Sequence, residues 1–252
     1  MARIIGGIAS THVPAIGKAI AEKKHNDPYW KPFFEGFDYV HYWLAREKPD
    51  VAVIFYNDHG LNFFLDKLPT FAGRRGERVP QRGRRLGHPG RRARSPGDPD
   101  LSWHLINALV ADEFDITMCQ DMLIDHAVTI PHDPDVAGRA LAGEDRADID
   151  QHRAASAAFA RRAVSGSDAA SAARSRSYPQ DLRVVVIGTG GLSHQLDGKR
   201  AGFINKDFDQ LCLDKIVERS GSADALLDPR LGRAARARRA SSSSTGWRCA
   251  AR

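Results

Sequence analysis

Three cysteines in 252 residues, Cys119, Cys212 and Cys249, are too few and too far apart for a disulfide framework, and none has the CxxC spacing of a zinc or redox site. They are read as reduced thiols. No apolar run approaches the roughly 18 residues that a membrane-spanning helix needs. The N-terminus also lacks a basic region followed by an apolar stretch and a small-residue cleavage site. A soluble, cytoplasmic protein without a membrane partner is therefore expected. What is present is ample apolar material, 42% of the chain, enough for one large α/β domain spanning residues 1–252.

Lysine is missing where arginine is abundant. Of 28 arginines, 23 lie within 73–95, 132–177 and 229–252, and all nine lysines lie outside those stretches. The remainder of the chain holds 23 acidic against 14 basic residues, so the overall charge of +6 belongs to the three stretches alone. Composition by itself calls them disordered linkers, since they are rich in Arg, Ala, Gly, Ser and Pro and have no sustained period. A basic nucleic-acid-binding function is the corresponding alternative. It is disfavoured because the stretches lack interleaved aromatics and any recognisable module.

A shifted reading frame explains them better, because a compact domain seldom carries so long a structureless insertion. GC-rich codons for Val79 to Arg94, read one base later, permit YRNADEGWGIPAVAPV. The same shift across His132 to Arg153 permits MTLMWPGGPWPVKTVPISINTV, and the neighbouring frame of Ser241 to Ala251 permits VELINWLAMRG. Each decoding restores apolar and aromatic patterning.

Between these stretches the patterning is regular. RIIGGIAS from Arg3 reads as a buried first strand with His12 just beyond it. VAVIFY, Val51 to Tyr56, is a β-branched and aromatic strand running into Asn57, Asp58, His59 and Gly60. FDITMCQ from Phe114 precedes a loop with Asp125 and His126, and VVVIG from Val184 precedes a loop with His194. Helical spacing marks Phe37 to Arg46, Leu101 to Ala111 after Asp98 and Asp100, and Phe208 to Arg219. Strands alternating with helices predict an α/β fold, a mixed or mainly parallel central sheet with helices on both faces. In such sheets ligands gather at strand ends, and four strand ends here each carry a histidine. GTGG, Gly188 to Gly191, is a tight turn rather than a phosphate loop, because no GxGxxG or following Lys-Ser/Thr accompanies it.

Two imidazoles and one carboxylate on one face of iron leave positions open for substrate and dioxygen. The segments GIASTHVPAIG, VIFYNDHG, LIDHAVTIP and GTGGLSHQLDGKRAGFINKDFD, together with NDPYWKPFFEGF and GDPDLSWHLI, resemble in order the signature segments of the class III extradiol ring-cleavage dioxygenases, closest to protocatechuate 4,5-dioxygenase β chains. The resemblance implies Fe(II)-dependent opening of protocatechuate or a related acidic catechol with O2, beside rather than between the two hydroxyls, in aromatic-compound degradation. It implies His12 and His59 as iron ligands and His194 as the proton-transfer residue. Asn57 and His126 would face the substrate. It also implies a small α subunit as heteromeric partner. The family's third ligand, a glutamate in a segment of the form GVELxxW, has no counterpart; in the shifted frame its codon falls across Ser241 and Ser242. The sequence also stops before the family's final segments. The chain as it stands is expected to hold iron poorly and to have impaired activity. A non-enzymatic binding protein on the same fold is the remaining alternative.

Overall fold

The structure is a computed structural model and describes residues 1–64, 66–76, 97–130, 153–159, 177–193, 195 and 198–218. Most of the three arginine-rich stretches, with His194, Ser241 and Ser242, lies outside the described residues. Contacts divide the chain into two compact units, Met1–Ala160 with Ser171–Gly190, and Arg161–Ala170 with Gly191–Arg252.

The first unit carries strands β1 (Arg3–Ser10), β2 (Val51–Asn57), β3 (Phe71–Arg74), β4 (Ile116–Cys119), β5 (Arg153–Phe159) and β6 (Arg183–Thr189). Its helices are α1 (Pro14–Ala21), α2 (Lys31–Glu47), α3 (Pro99–Ala111) and the single turn α4 (His126–Thr129). The strands form one six-stranded sheet in the order β1-β6-β2-β5-β3-β4. Neighbours are parallel throughout except β3 and β5, which are antiparallel. The expected α/β class with a mixed sheet is the one observed.

Val51 to Tyr56 of β2 are buried without interruption, as a strand enclosed on both sides of the sheet must be. Ala52, Ile54 and Tyr56 pack with Val185 and Ile187 of β6, Ala72 of β3, and Met122, Ile124, Ala127 and Val128. A second cluster joins Ile16, Ala19 and Ile20 of α1 to Phe34 and Phe37 of α2 and to Ile130. Each large apolar side chain so enclosed stabilises by about 1.5–3 kcal/mol relative to exposure. Helix α3 starts as its sequence indicates: Asp98 caps it by accepting a hydrogen bond from the Leu101 amide at 2.9 Å, with Pro99 in the first turn.

Three sequence expectations need correction. Strand β1 is an edge strand and mostly half-exposed rather than buried. Its glycines have no side chain to bury, and the Trp43 ring of α2 lies directly on Gly6. Strand β5 arises inside the 132–177 stretch, where no period was legible. Its hydrogen-bonding partners β2 and β3 fix it through the backbone, a contribution that side-chain pattern does not encode. Strand β4 runs opposite to β1, β2 and β6, so His126 does not sit at an equivalent strand end. The chain turns back through Asp121–Ile124 before reaching it.

A methyl group on Gly6 would lie 2.6 Å from Trp43 Cζ2 and 2.7 Å from Cη2. Gly6→Ala is therefore expected to cost about 1–3 kcal/mol by overpacking a rigid ring. Urea unfolding should show a lower midpoint with an unchanged slope, and a midpoint equal to the parent's would contradict this packing.

In the second unit, α5 (Lys206–Glu218) is preceded by Asn205, whose amide donates to Ser193 Oγ at 2.9 Å. Ser193 Oγ in turn donates to Asp209 Oδ1 at 2.9 Å. Among the described residues no helix is long and apolar enough to cross a membrane.

Candidate metal centre

Parallel strands β1, β6 and β2 are adjacent and end at the same edge of the sheet. His12 lies two residues past β1, Thr189 ends β6, and His59 lies two residues past β2. Their nearness follows from the topology. The Nδ1 of His12 is paired with Thr189 Oγ1 at 3.0 Å, and His12 is buried.

His59 is on an exposed turn that is nevertheless tightly tied. Asp58 accepts from the backbone amides of Leu61, Asn62 and Phe63 at 3.0–3.2 Å. Gly60 follows with φ +73°, the left-handed conformation that glycine adopts without strain. Asn62 then binds Leu123 in both directions, accepting from its amide at 2.9 Å and donating to its carbonyl at 2.8 Å. That double link fastens the His59 turn to the segment that delivers Asp125 and His126.

Asp125 connects the two. One oxygen caps α4, accepting from the Ala127 amide at 2.8 Å. The other accepts from His59 Nδ1 at 3.0 Å and from the His59 amide at 3.3 Å. Burial pushes the Asp125 carboxyl up, but the His59 hydrogen bond and charge, the Ala127 amide and His126 outweigh it, leaving the group below its ordinary value. For His126, burial pushes the imidazole below its ordinary value; Asp125 opposes the shift and His59 adds to it. The shift favours the neutral imidazole, the form that binds metals.

The three rings converge. Centroids are 5.0 Å apart for His12 and His59, 5.5 Å for His12 and His126, and 4.3 Å for His59 and His126. One ring nitrogen from each lies within 4.8 Å of the others, close enough for a shared metal ion after small side-chain movement. The Nδ1 of His126 is buried with no hydrogen-bond partner. An orphaned imidazole nitrogen beside two others is a poor arrangement for bare protein and a suitable one for a cation. Asn57 is the half-buried last residue of β2, two positions before His59.

Of the residues singled out in the sequence, His12, His59 and His126 are thus brought together. Thr189 and the role of Asp125 were not foreseen. Asp125 preceding HAVT was legible as a helix cap, whereas its contact with His59, 66 residues earlier, had no local signal.

The model for the catalytic LigB subunit of aromatic ring-opening dioxygenases matches residues 6–133 and 166–228, most of the chain and all of the histidines above. The chain belongs to that family. The match omits 134–165 and ends at 228, so its interruptions coincide with the second and third arginine-rich stretches. A gallate dioxygenase of Pseudomonas putida is 33% identical over 132 residues, covering 48% of this chain and 36% of that protein. The matched part therefore spans about a third of the relative's length.

Proposed function

We propose that this LigB-family chain derives from an Fe(II)-dependent extradiol dioxygenase that opens protocatechuate, gallate or a related acidic catechol with O2. The convergence of His12, His59 and His126 at the ends of the parallel strands carries this reading. His12 and His59 would hold the ion. Each makes its side-chain hydrogen bond through Nδ1, to Thr189 and Asp125, the arrangement in which Nε2 ligates and the outer partner fixes the ring. When bound, iron would supply Lewis acidity and a template for the catechol diol and dioxygen.

The chain's own contribution is orientation and proton management. His194 is proposed to take a proton from a catechol hydroxyl and return it as the ring opens, a task for a group titrating near neutrality. Asn57 is proposed to hold a polar group of the substrate, and His126 to line the site. A small α subunit is proposed as heteromeric partner.

The arginine-rich stretches are proposed to be out of frame, with the family's glutamate ligand encoded across Ser241 and Ser242. Two observations support this: the family match breaks inside the second stretch and ends where the third begins, and Arg74, at the start of the first, is a buried cation. Serine cannot supply the anionic ligand, so this chain should oxidise catechols poorly while its frame-restored form is active.

An oxygen electrode tests the proposal. With anaerobically added Fe(II) and protocatechuate or gallate, the frame-restored protein with its small subunit should consume O2 and form a yellow ring-opened product. This chain should be at least about 100-fold slower, consistent with the loss of an interaction worth roughly 2.7 kcal/mol in the transition state. No uptake by the restored protein on any acidic catechol would refute the enzyme reading.

A further inference from the structure

We infer that His126 is itself a metal ligand in this chain, making a three-imidazole site with His12 and His59 that favours a borderline ion such as Zn(II) or Co(II) over Fe(II). The inference rests on the preceding proposal that His12 and His59 bind a metal. It departs from it in the third ligand and in the ion.

Three features of the chain support it. The donor nitrogens of all three residues lie within 4.8 Å, whereas imidazoles sharing a tetrahedral ion at about 2.0–2.1 Å are roughly 3.3 Å apart, so no pair has to close by more than about 1.5 Å. Ring rotations supply movement of that size. His126 Nδ1 is buried without a hydrogen-bond partner, so ligation removes a desolvation penalty instead of breaking a bond. Among the described residues the only grouped metal donors here are these three histidines. The nearest carboxylate, Asp125, is engaged with His59 Nδ1 and the Ala127 amide, where it orients a ligand.

Ligand type then selects the ion. Three neutral imidazoles with an open fourth position make a typical Zn(II) environment, and nitrogen donors bind Co(II) and Zn(II) more tightly than Fe(II). A site without its anionic carboxylate loses the donor best matched to the harder ion.

The test uses the full chain loaded with Zn(II). X-ray absorption at the zinc edge should show three imidazoles; two would overturn the inference without requiring any variant. Co(II) titration followed by visible absorption provides the second measurement. His126→Ala should weaken Co(II) binding by more than about 100-fold, beyond the 10–100-fold expected of a residue that only supports a ligand. The conservative His126→Gln should recover part of that loss and keep the parent's circular dichroism. A Co(II) spectrum and affinity unchanged in both variants would overturn the inference. His12→Ala separates the two levels. If it abolishes binding while the His126 variants do not, only the third ligand is wrong; if His12→Ala also leaves binding intact, the metal centre itself is wrong.

Discussion

Asp125→Ala is expected to weaken divalent-metal binding by about 10–100-fold, the range for an outer partner that fixes a ligating histidine. The carboxylate is the acceptor that holds His59 Nδ1 and the His59 amide in place, so its removal frees the ring and the turn together. The same substitution deletes the cap of α4 and should cost about 1 kcal/mol of stability. Asp125→Asn separates these effects, because its side-chain oxygen still caps Ala127 while the charge facing His59 is lost. It should lose metal affinity and the charge-linked stability while keeping the share that comes from the cap. The pH dependence follows from the depressed carboxyl. Its stabilising contribution is fully present above the unfolded value, about 3.9, and is lost as pH falls through the lower folded value. Acid unfolding of Asp125→Asn should therefore lack that component. Calorimetric metal titration and acid unfolding check both; equal affinity in the parent and in Asp125→Ala would mean that His59 is not a ligand.

Arg74→Met should stabilise the protein by about 1–4 kcal/mol, the opposite sign to most core substitutions. Arg74 closes β3, is only 2% exposed, and donates from Nη1 to the Gly76 carbonyl at 3.2 Å. Its Nε and Nη2 are buried without hydrogen-bond partners, and burial pushes the guanidinium below its ordinary value despite the opposing Asp121 and Tyr56. The neighbouring Tyr56 hydroxyl is also without a partner, and burial raises its ionisation above the ordinary phenol value. Methionine would fill much of the same volume with no charge to desolvate. Arg75 is the internal contrast: it is half-buried, stacks over the Trp103 ring at 5.4 Å, and its replacement by Met should cost about 0.5–1 kcal/mol. Denaturant midpoints of the two variants should move in opposite directions. A destabilised Arg74→Met would show that the buried guanidinium is compensated and contradict this prediction.

The parts of the fold that were legible in the sequence are those in which burial imposes a pattern. β2 and β6 are enclosed and read as continuous apolar runs, and α3 announces itself through Asp98 and Pro99. β5 was not legible because RAASAAF carries neither alternation nor β-branched residues; only its place between β2 and β3 makes it a strand. β3 was missed for a related reason, being four residues long. His12 and His59 could be proposed because each follows a strong strand signal. Their tethering could not, since Thr189 is 177 residues from His12 and Asp125 is 66 from His59. The resemblance places His126 at the substrate, whereas its distance from the other two rings and its orphaned Nδ1 suggest a ligand.

Calorimetric titration with Co(II), comparing the unmodified chain with a His12→Ala/His59→Ala double variant, tests the central claim most directly. The account predicts one saturable site per chain in the parent and none in the double variant, with matching circular dichroism. Equal binding by both proteins would contradict a metal centre at the ends of β1 and β2.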